Sequence, residues 1–221
     1  MEGIDELNSD IKNCTKCTRL AEYIRNVAKT KVRRFSDENY YGLPLSGFGD
    51  VNATLLIVGL APAAHGGNRT GRMFTGDSSG DWLARVMHST GFASQPTSQA
   101  ANDGLVLHGA YITAAVRCAP PQNKPTREEM GNCICFLERE LEILKNVQVI
   151  LCLGKIAHGT ICNLLGIKPA GFGHNKVFAC SRYTIITSYH PSRQNTQTGR
   201  LSWRQWRQVF SRAQKLTGSN I

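Results

Sequence analysis

Four side chains in this sequence have the types and the spacing to work on a flat heterocycle: Phe74, Asp77, Asn123 and His190. An aromatic ring offers a stacking face. A carboxamide presents both a donor and an acceptor to a heterocycle edge. An imidazole donates to an anion as it develops. A carboxylate orients water or steadies positive charge. Phe74 and Asp77 belong to the stretch Gly59–Asp77, which carries four glycines after Leu60 together with His65, Arg69 and Arg72. Glycines there let backbone approach a ligand closely. Each residue also has a structural use: Phe74 as core, Asn123 as a turn tie, Asp77 as the cap of the helix through Trp82, His190 as a turn residue before Pro191.

A second constellation is made of thiols. Of eight cysteines, Cys14 and Cys17 form a C-x2-C pair, and Cys118 and Cys133 have fourteen residues between them. Four thiolates from two segments suit a tetrahedral zinc or a [4Fe-4S] cluster, and spacing does not separate the two. Cys135 competes for the fourth place, but residues two apart on a helix do not share a face. Cys133 lies on the stripe of Met130 and Leu137 and is preferred. Cys135, Cys152, Cys162 and Cys180 read as small core residues. A site on the four chosen thiols would staple the N-terminal segment to the loop that carries Asn123.

The elements that must position these groups follow from hydrophobic pattern. Thr54–Val58, Ala110–Val116, Val147–Leu153 and Tyr183–Ser188 are apolar runs of buried parallel strands. Helical spacing is expected around Ile4–Ile11, through Leu20 and Ile24, over Trp82–Met87, and from Ile156 to Leu164. Thr126 with Glu129, and Ser202 with Gln205, are capping boxes that open two further helices. The first buries Met130, Cys133, Ile134, Leu137, Leu141 and Leu144; the second buries Trp203, Trp206 and Phe210. Residues 25–50 read as irregular chain over the surface. Three prolines between Pro120 and Pro125 make a rigid loop around Asn123. Strands alternating with helices predict an α/β fold, a central four-stranded parallel sheet in a three-layer α/β/α arrangement, and one domain over 1–221. The loops holding Phe74, Asp77, Asn123 and His190 then leave the same side of the sheet.

Composition bounds the partners. Lys and Arg number 26 against 16 Asp and Glu, a formal charge of +10, which favours nucleic acid first and an anionic membrane surface second. No apolar run approaches the ~18 residues of a membrane span. The start, Met1–Leu7, is acidic and lacks the apolar core of an export signal, so a cytoplasmic, nucleoid-associated protein is expected. No G-x-x-x-x-G-K-[ST] motif is present, which argues against a nucleoside-triphosphate site.

Gly59–Asp77, Cys118–Asn123 and His190–Asn195 together resemble the uracil-DNA glycosylase superfamily, and most of all its family 5, the B-type enzymes of archaea and bacteria. Tyr40–Asp50 and Gln197–Leu201 are also similar, so the resemblance spans nearly the whole chain. It implies a monofunctional DNA glycosylase, expected to be a monomer without membrane contact. Such an enzyme flips a deaminated nucleotide from the duplex and hydrolyses its N-glycosidic bond, with no covalent lysine intermediate. It implies a structural [4Fe-4S] cluster on Cys14, Cys17, Cys118 and Cys133. Phe74 would stack on the base, Asn123 would contact it beside Ala63, His190 would stabilise the departing base anion, and Asp77 would orient or activate water. Arg69, Arg72, Arg193 and Arg200 would contact phosphate. Leu60, Ala61 and Ala63 are apolar where other branches carry a polar side chain. Ala114 follows Tyr111–Ile112–Thr113 where related branches place an asparagine that reads uracil. Loss of such a reader relaxes discrimination, so uracil, hypoxanthine and xanthine are all expected substrates. A non-catalytic iron–sulfur DNA-binding protein of the same fold is the alternative.

Overall fold

The computed structural model describes residues 3–169 and 171–218; residues 1, 2, 170 and 219–221 of the expected 1–221 unit lie outside the described residues. The elements run α1 Ile4–Lys12, α2 Thr18–Thr30, β1 Phe48–Gly49, β2 Leu55–Gly59, α3 Gly67–Thr70, α4 Ser78–Ser89, β3 Ala110–Ala114, α5 Arg127–Ile143, β4 Val149–Leu153, α6 Lys155–Leu164, β5 Lys176–Cys180, β6 Tyr183–Ser188, α7 Arg193–Gln197 and α8 Trp203–Leu216. The sheet order is β1-β3-β2-β4-β6-β5. Its four central strands are parallel, as their apolar runs require: every residue of β2, β3 and β4 is buried.

The sheet is larger than the sequence suggests. Short β1 pairs antiparallel with β3, and β5 pairs antiparallel with β6, giving six strands in a mixed sheet. β5 has mostly exposed residues and opens on Lys176, features of an edge strand that lack the buried-strand pattern. Residues 25–50 are also more ordered than expected. α2 continues to Thr30, a tight turn follows at Arg33–Phe35, and β1 closes the stretch.

Two cores confirm the three layers. On one face Leu55, Ile57, Ile112, Leu151 and Ile186 meet Leu83, Val86 and Met87 of α4 and Trp206, Val209 and Phe210 of α8. The Trp206 indole N–H satisfies itself on the Trp82 carbonyl at 3.0 Å. On the other face Leu56, Val58, Ile150, Cys152 and Ile185 meet Leu137 and Leu141 of α5 and Ala157 and Ile161 of α6. Alternate strand residues thus feed opposite layers. Both capping boxes form, starting α5 and α8 where the sequence places them.

The register brings Gly59 level with Ala114, and Leu153 level with Ser188. The loops after β2, β3, β4 and β6 therefore leave from one edge, and the site is built there.

Candidate active site

A cleft of about 1140 Å3 opens at these strand ends. Phe74, Asp77, Ala63, Asn123, His190 and Arg193 all line it. Residues 116 positions apart in sequence thus share one hollow. Phe74 and His190 are in contact, with ring centroids 5.7 Å apart and planes tilted by 30°.

Phe74 sits where it does because two neighbours lack side chains. It holds a left-handed backbone, φ +49°. A Cβ at Gly59 would stand 2.8 Å from its ring, and one at Gly80 would stand 2.3 Å from its carbonyl oxygen. The end of β2 and the first turn of α4 thus clamp the loop bearing the ring.

Asp77 does two things. Its Oδ1 accepts from the Ser79 and Gly80 N–H groups at 2.9 Å each and caps α4, the structural use open from the sequence. Its Oδ2 faces Gly66, where a Cβ would come within 2.2 Å. Burial pushes this carboxyl above the usual carboxylate range, against the two N–H donors, which pull it down.

His190 follows β6 directly. Its carbonyl accepts from the Asn195 amide at 2.9 Å, while Ser192 caps α7 by accepting from the Asn195 N–H. Its ring is enclosed enough that burial pushes its pKa down to about 4, so the imidazole is neutral near pH 7 and keeps one N–H to donate. Asn123 lies exposed in the rigid proline loop with φ +57°, beside Gln122 at φ +56°. Two successive left-handed residues aim this turn into the cleft.

The arginines divide. Arg193 is exposed and lines the cleft, and Arg200 is exposed with its guanidinium 4.5 Å from the Tyr189 ring centroid. Arg69 and Arg72, expected as phosphate contacts, are only 8% and 7% exposed. Arg72 donates to Thr75 Oγ1, Ser98 Oγ, the Ala101 carbonyl and both oxygens of Asp103. Arg69 donates to the carbonyls of His65 and Gly76 and pairs with Glu38. Their donors are committed inside the protein, which corrects the phosphate assignment for both: they brace the loop from beneath.

Sequence patterns missed two histidines at this edge. His65 Nδ1 is 3.0 Å from the Tyr40 hydroxyl, and His65 lines the cleft. His174 lies just before β5; its Nδ1 is 3.2 Å from the Ser188 hydroxyl and 3.4 Å from the Tyr189 N–H, and its ring stacks on Tyr189 at 5.2 Å. It steadies the turn entering His190. No local signal marks His174, because the hairpin that carries it is an edge feature.

The sequence model of the Uracil DNA glycosylase superfamily matches residues 46–213. This chain belongs to that superfamily. It is 42% identical over 209 residues to the type-5 uracil-DNA glycosylase of Pyrobaculum aerophilum, covering 95% of this chain and 91% of the relative. It is 44% identical over 209 residues to that of Thermus thermophilus, covering 93% and 94%. The type-4 uracil-DNA glycosylase of Archaeoglobus fulgidus is 30% identical over 199 residues, covering 87% and 83%.

In this superfamily member the N-terminal thiols lie ahead of the matched residues. Cys14 and Cys17 occupy the link between α1 and α2, with Cys17 as the residue before α2. Cys17, Cys118 and Cys133 pack in one cluster with Leu20, Ile24 and Val116. Burial, then the neighbouring Cys133, Cys14 and Cys17, push the Cys118 thiol upward, and Cys14 packs against Leu7, Ile11 and Phe136. Arg19 of α2 holds Glu129 of α5 through two bonds of 2.7 and 2.6 Å. Arg117 and Glu140, 1% and 0% exposed, form a bidentate pair that ties the exit of β3 to α5 and so fixes Cys118 beside Cys133. Cys135, the rival for the fourth place, packs with Cys14 against Leu7, Ile11 and Phe136 and takes a bond from Lys16 Nζ at 3.3 Å.

Proposed function

We propose that this protein is a monofunctional DNA glycosylase that removes uracil from DNA and starts base excision repair. The observation that carries the reading is the meeting of Phe74, Asp77, Asn123 and His190 in one cleft at the carboxyl edge of the sheet. It is supported by the type-5 uracil-DNA glycosylases that match over nearly the whole chain. Among the described residues no helix is long and apolar enough to cross a membrane.

The chemistry follows from charge. Breaking the N-glycosidic bond sends its electron pair to the base and leaves positive charge on the sugar. A flipped-out base stacks on Phe74, with Asn123 at its edge and Ala63 leaving room beside it. The neutral His190 ring donates to the carbonyl oxygen where negative charge gathers, the preorganised kind of donor that is most effective in a water-poor site. Asp77 is anchored through Oδ1, which leaves Oδ2 to hold the attacking water and accept its proton. Its raised pKa makes it a better base than an ordinary aspartate. The phosphates of the DNA answer the sugar's positive charge alongside Asp77. Arg193 and Arg200, the two exposed candidates, contact the backbone.

The base range extends to hypoxanthine and xanthine. Ala114, at the end of β3, brings no hydrogen-bonding side chain to the base, and a pocket without a bidentate reader rejects wrong bases weakly.

Cys14, Cys17, Cys118 and Cys133 hold a [4Fe-4S] cluster in this reading. Among the described residues no three His, Cys, Asp or Glu side chains converge as ligands of a single ion. A cube that takes one thiolate per iron asks for a wider ring of sulfurs; the reading is supported by the packing of Cys17, Cys118 and Cys133 in one cluster and by Cys14 sharing the α1–α2 link with Cys17. The cluster would act as a staple, with no step of bond cleavage assigned to it. The unit 1–221 works as one domain and a monomer in the bacterial or archaeal cytoplasm, on nucleoid DNA.

The test is incubation of purified protein with duplexes carrying uracil, hypoxanthine or xanthine, followed by alkaline cleavage of abasic sites. Strand breaks at uracil are expected, with slower breaks at the purines. Binding without breaks would mark the silent DNA-binding alternative; breaks at uracil alone would refute the broad range.

A further inference from the structure

The tight turn Arg33–Phe35 precedes the matched residues 46–213 and has no place in the chemistry above. Arg34 and Phe35 nevertheless line the active-site cleft, alongside Tyr23 and His65. Arg34 is exposed, and its guanidinium lies 4.4 Å from the Phe35 ring centroid. Phe35 is held in turn by Arg69, whose guanidinium lies 3.8 Å from the same centroid. Arg69 is the buried brace that also grips His65, Gly76 and Glu38. The positive charge of Arg34 reaches His65, where after burial it is the next influence holding that ring below the usual histidine range.

Charge around the turn favours an anion. Residues 29–41 contain Lys29, Lys31, Arg33 and Arg34 against Asp37 and Glu38, and Glu38 is engaged with Arg69. Lys31 donates to the Ser36 carbonyl at 3.0 Å. Among the described residues no carboxylate pairs with Arg34. A guanidinium stacked on an aromatic ring loses less freedom on binding than a free one, so its fork is ready for a phosphate.

We infer that Arg34, seated on the Phe35–Arg69 stack, is a phosphate contact for the DNA strand that bears the extruded nucleotide. It supplies from outside the matched residues a contact that Arg69, buried, does not make. The inference rests on DNA being the substrate, as proposed above. Arg69 joins this contact to the Phe74–Asp77 loop, because the same side chain holds Gly76 and Phe35.

The experiment measures binding to a duplex containing a tetrahydrofuran abasic-site analogue across a salt series. Arg34→Ala and Arg34→Gln should each make the log–log salt dependence shallower by about 0.9, one phosphate contact. Arg33→Ala, one residue away and not facing the cleft, should keep the wild-type slope. Phe35→Leu should keep the slope and weaken binding several-fold, since the charge stays but its seat is lost. Thermal melting of each variant checks that the fold is intact. An unchanged slope in both Arg34 variants, an equal drop in Arg33→Ala, or wild-type affinity in Phe35→Leu would overturn the inference. Uracil excision by the unaltered protein, measured in parallel, tests the enzymatic reading separately, since the salt slope needs no turnover.

Discussion

The loop Gly59–Asp77 and the loop Tyr189–Arg200 both border the cleft and both carry two arginines, yet they are built in opposite ways. In the first, Arg69 and Arg72 turn inward and spend their donors on carbonyls, hydroxyls, Glu38 and Asp103. In the second, Arg193 and Arg200 remain exposed, and the loop is held by Asn195, Ser192 and the His174–Tyr189 stack. The first loop needs inner bracing because it places a ring on a left-handed backbone and a carboxylate against Gly66. The second starts directly from β6, so the strand itself delivers His190. Arginine is a structural residue in one loop and a surface cation in the other, and its neighbours decide which.

Substitutions at matched positions sharpen this contrast. Arg72→Ala removes the cation from Asp103, which keeps the Gln99, Ala100 and Leu105 N–H groups, and removes donors from the Thr75 and Ser98 hydroxyls; a stability loss of about 1–3 kcal/mol is expected in chemical denaturation. A loss under 1 kcal/mol would show that the brace is dispensable. His190→Ala should leave the fold intact while lowering turnover about 10²–10³-fold, with DNA affinity changed far less. Unchanged turnover would remove His190 from the mechanism. Arg193→Ala should reduce the salt slope of binding by about 0.9 with little change in melting temperature, the reverse of the Arg72 outcome.

A smaller effect distinguishes the loops by pH. The folded His190 pKa is about 4, below the ordinary value near 6.5. Between these values the unfolded chain binds more protons, so this group makes stability fall as pH drops from about 6.5 to about 4. The buried Asp77 carboxyl is shifted upward, so in its window the native state holds the extra proton and stability rises as pH falls. Denaturation curves of wild type and His190→Ala over this range should differ in slope, the variant losing less stability on acidification. Parallel curves would mean that the imidazole is not buried as described.

Much of the architecture is legible from local pattern. Four apolar runs gave the parallel strands, and two capping boxes placed the starts of α5 and α8. Parallel strands send their loops to one edge, which is why Phe74, Asp77, Asn123 and His190 were expected together and line one cleft. The edge strands β1 and β5 escaped, being short or mostly exposed, and with β5 went the placement of His174 beside Tyr189. The helix expected from Ile156 to Leu164 is α6, and Ile156 in its first turn is 43% exposed at the cleft wall, ahead of the packed Ala157 and Ile161.

The sequence alone determined the four parallel strands at the centre of the sheet, the starts of α5 and α8 and the chemical types brought to the cleft, because periodicity and capping are properties of neighbouring residues. Tertiary structure alone decided that Arg69 and Arg72 are braces and that Phe35, held by Arg69, carries Arg34 to the cleft. Those outcomes depend on partners 31 residues away, as in Arg72–Asp103 and Arg69–Glu38. Whether a charge meets water or a buried counter-charge is settled only when distant segments pack.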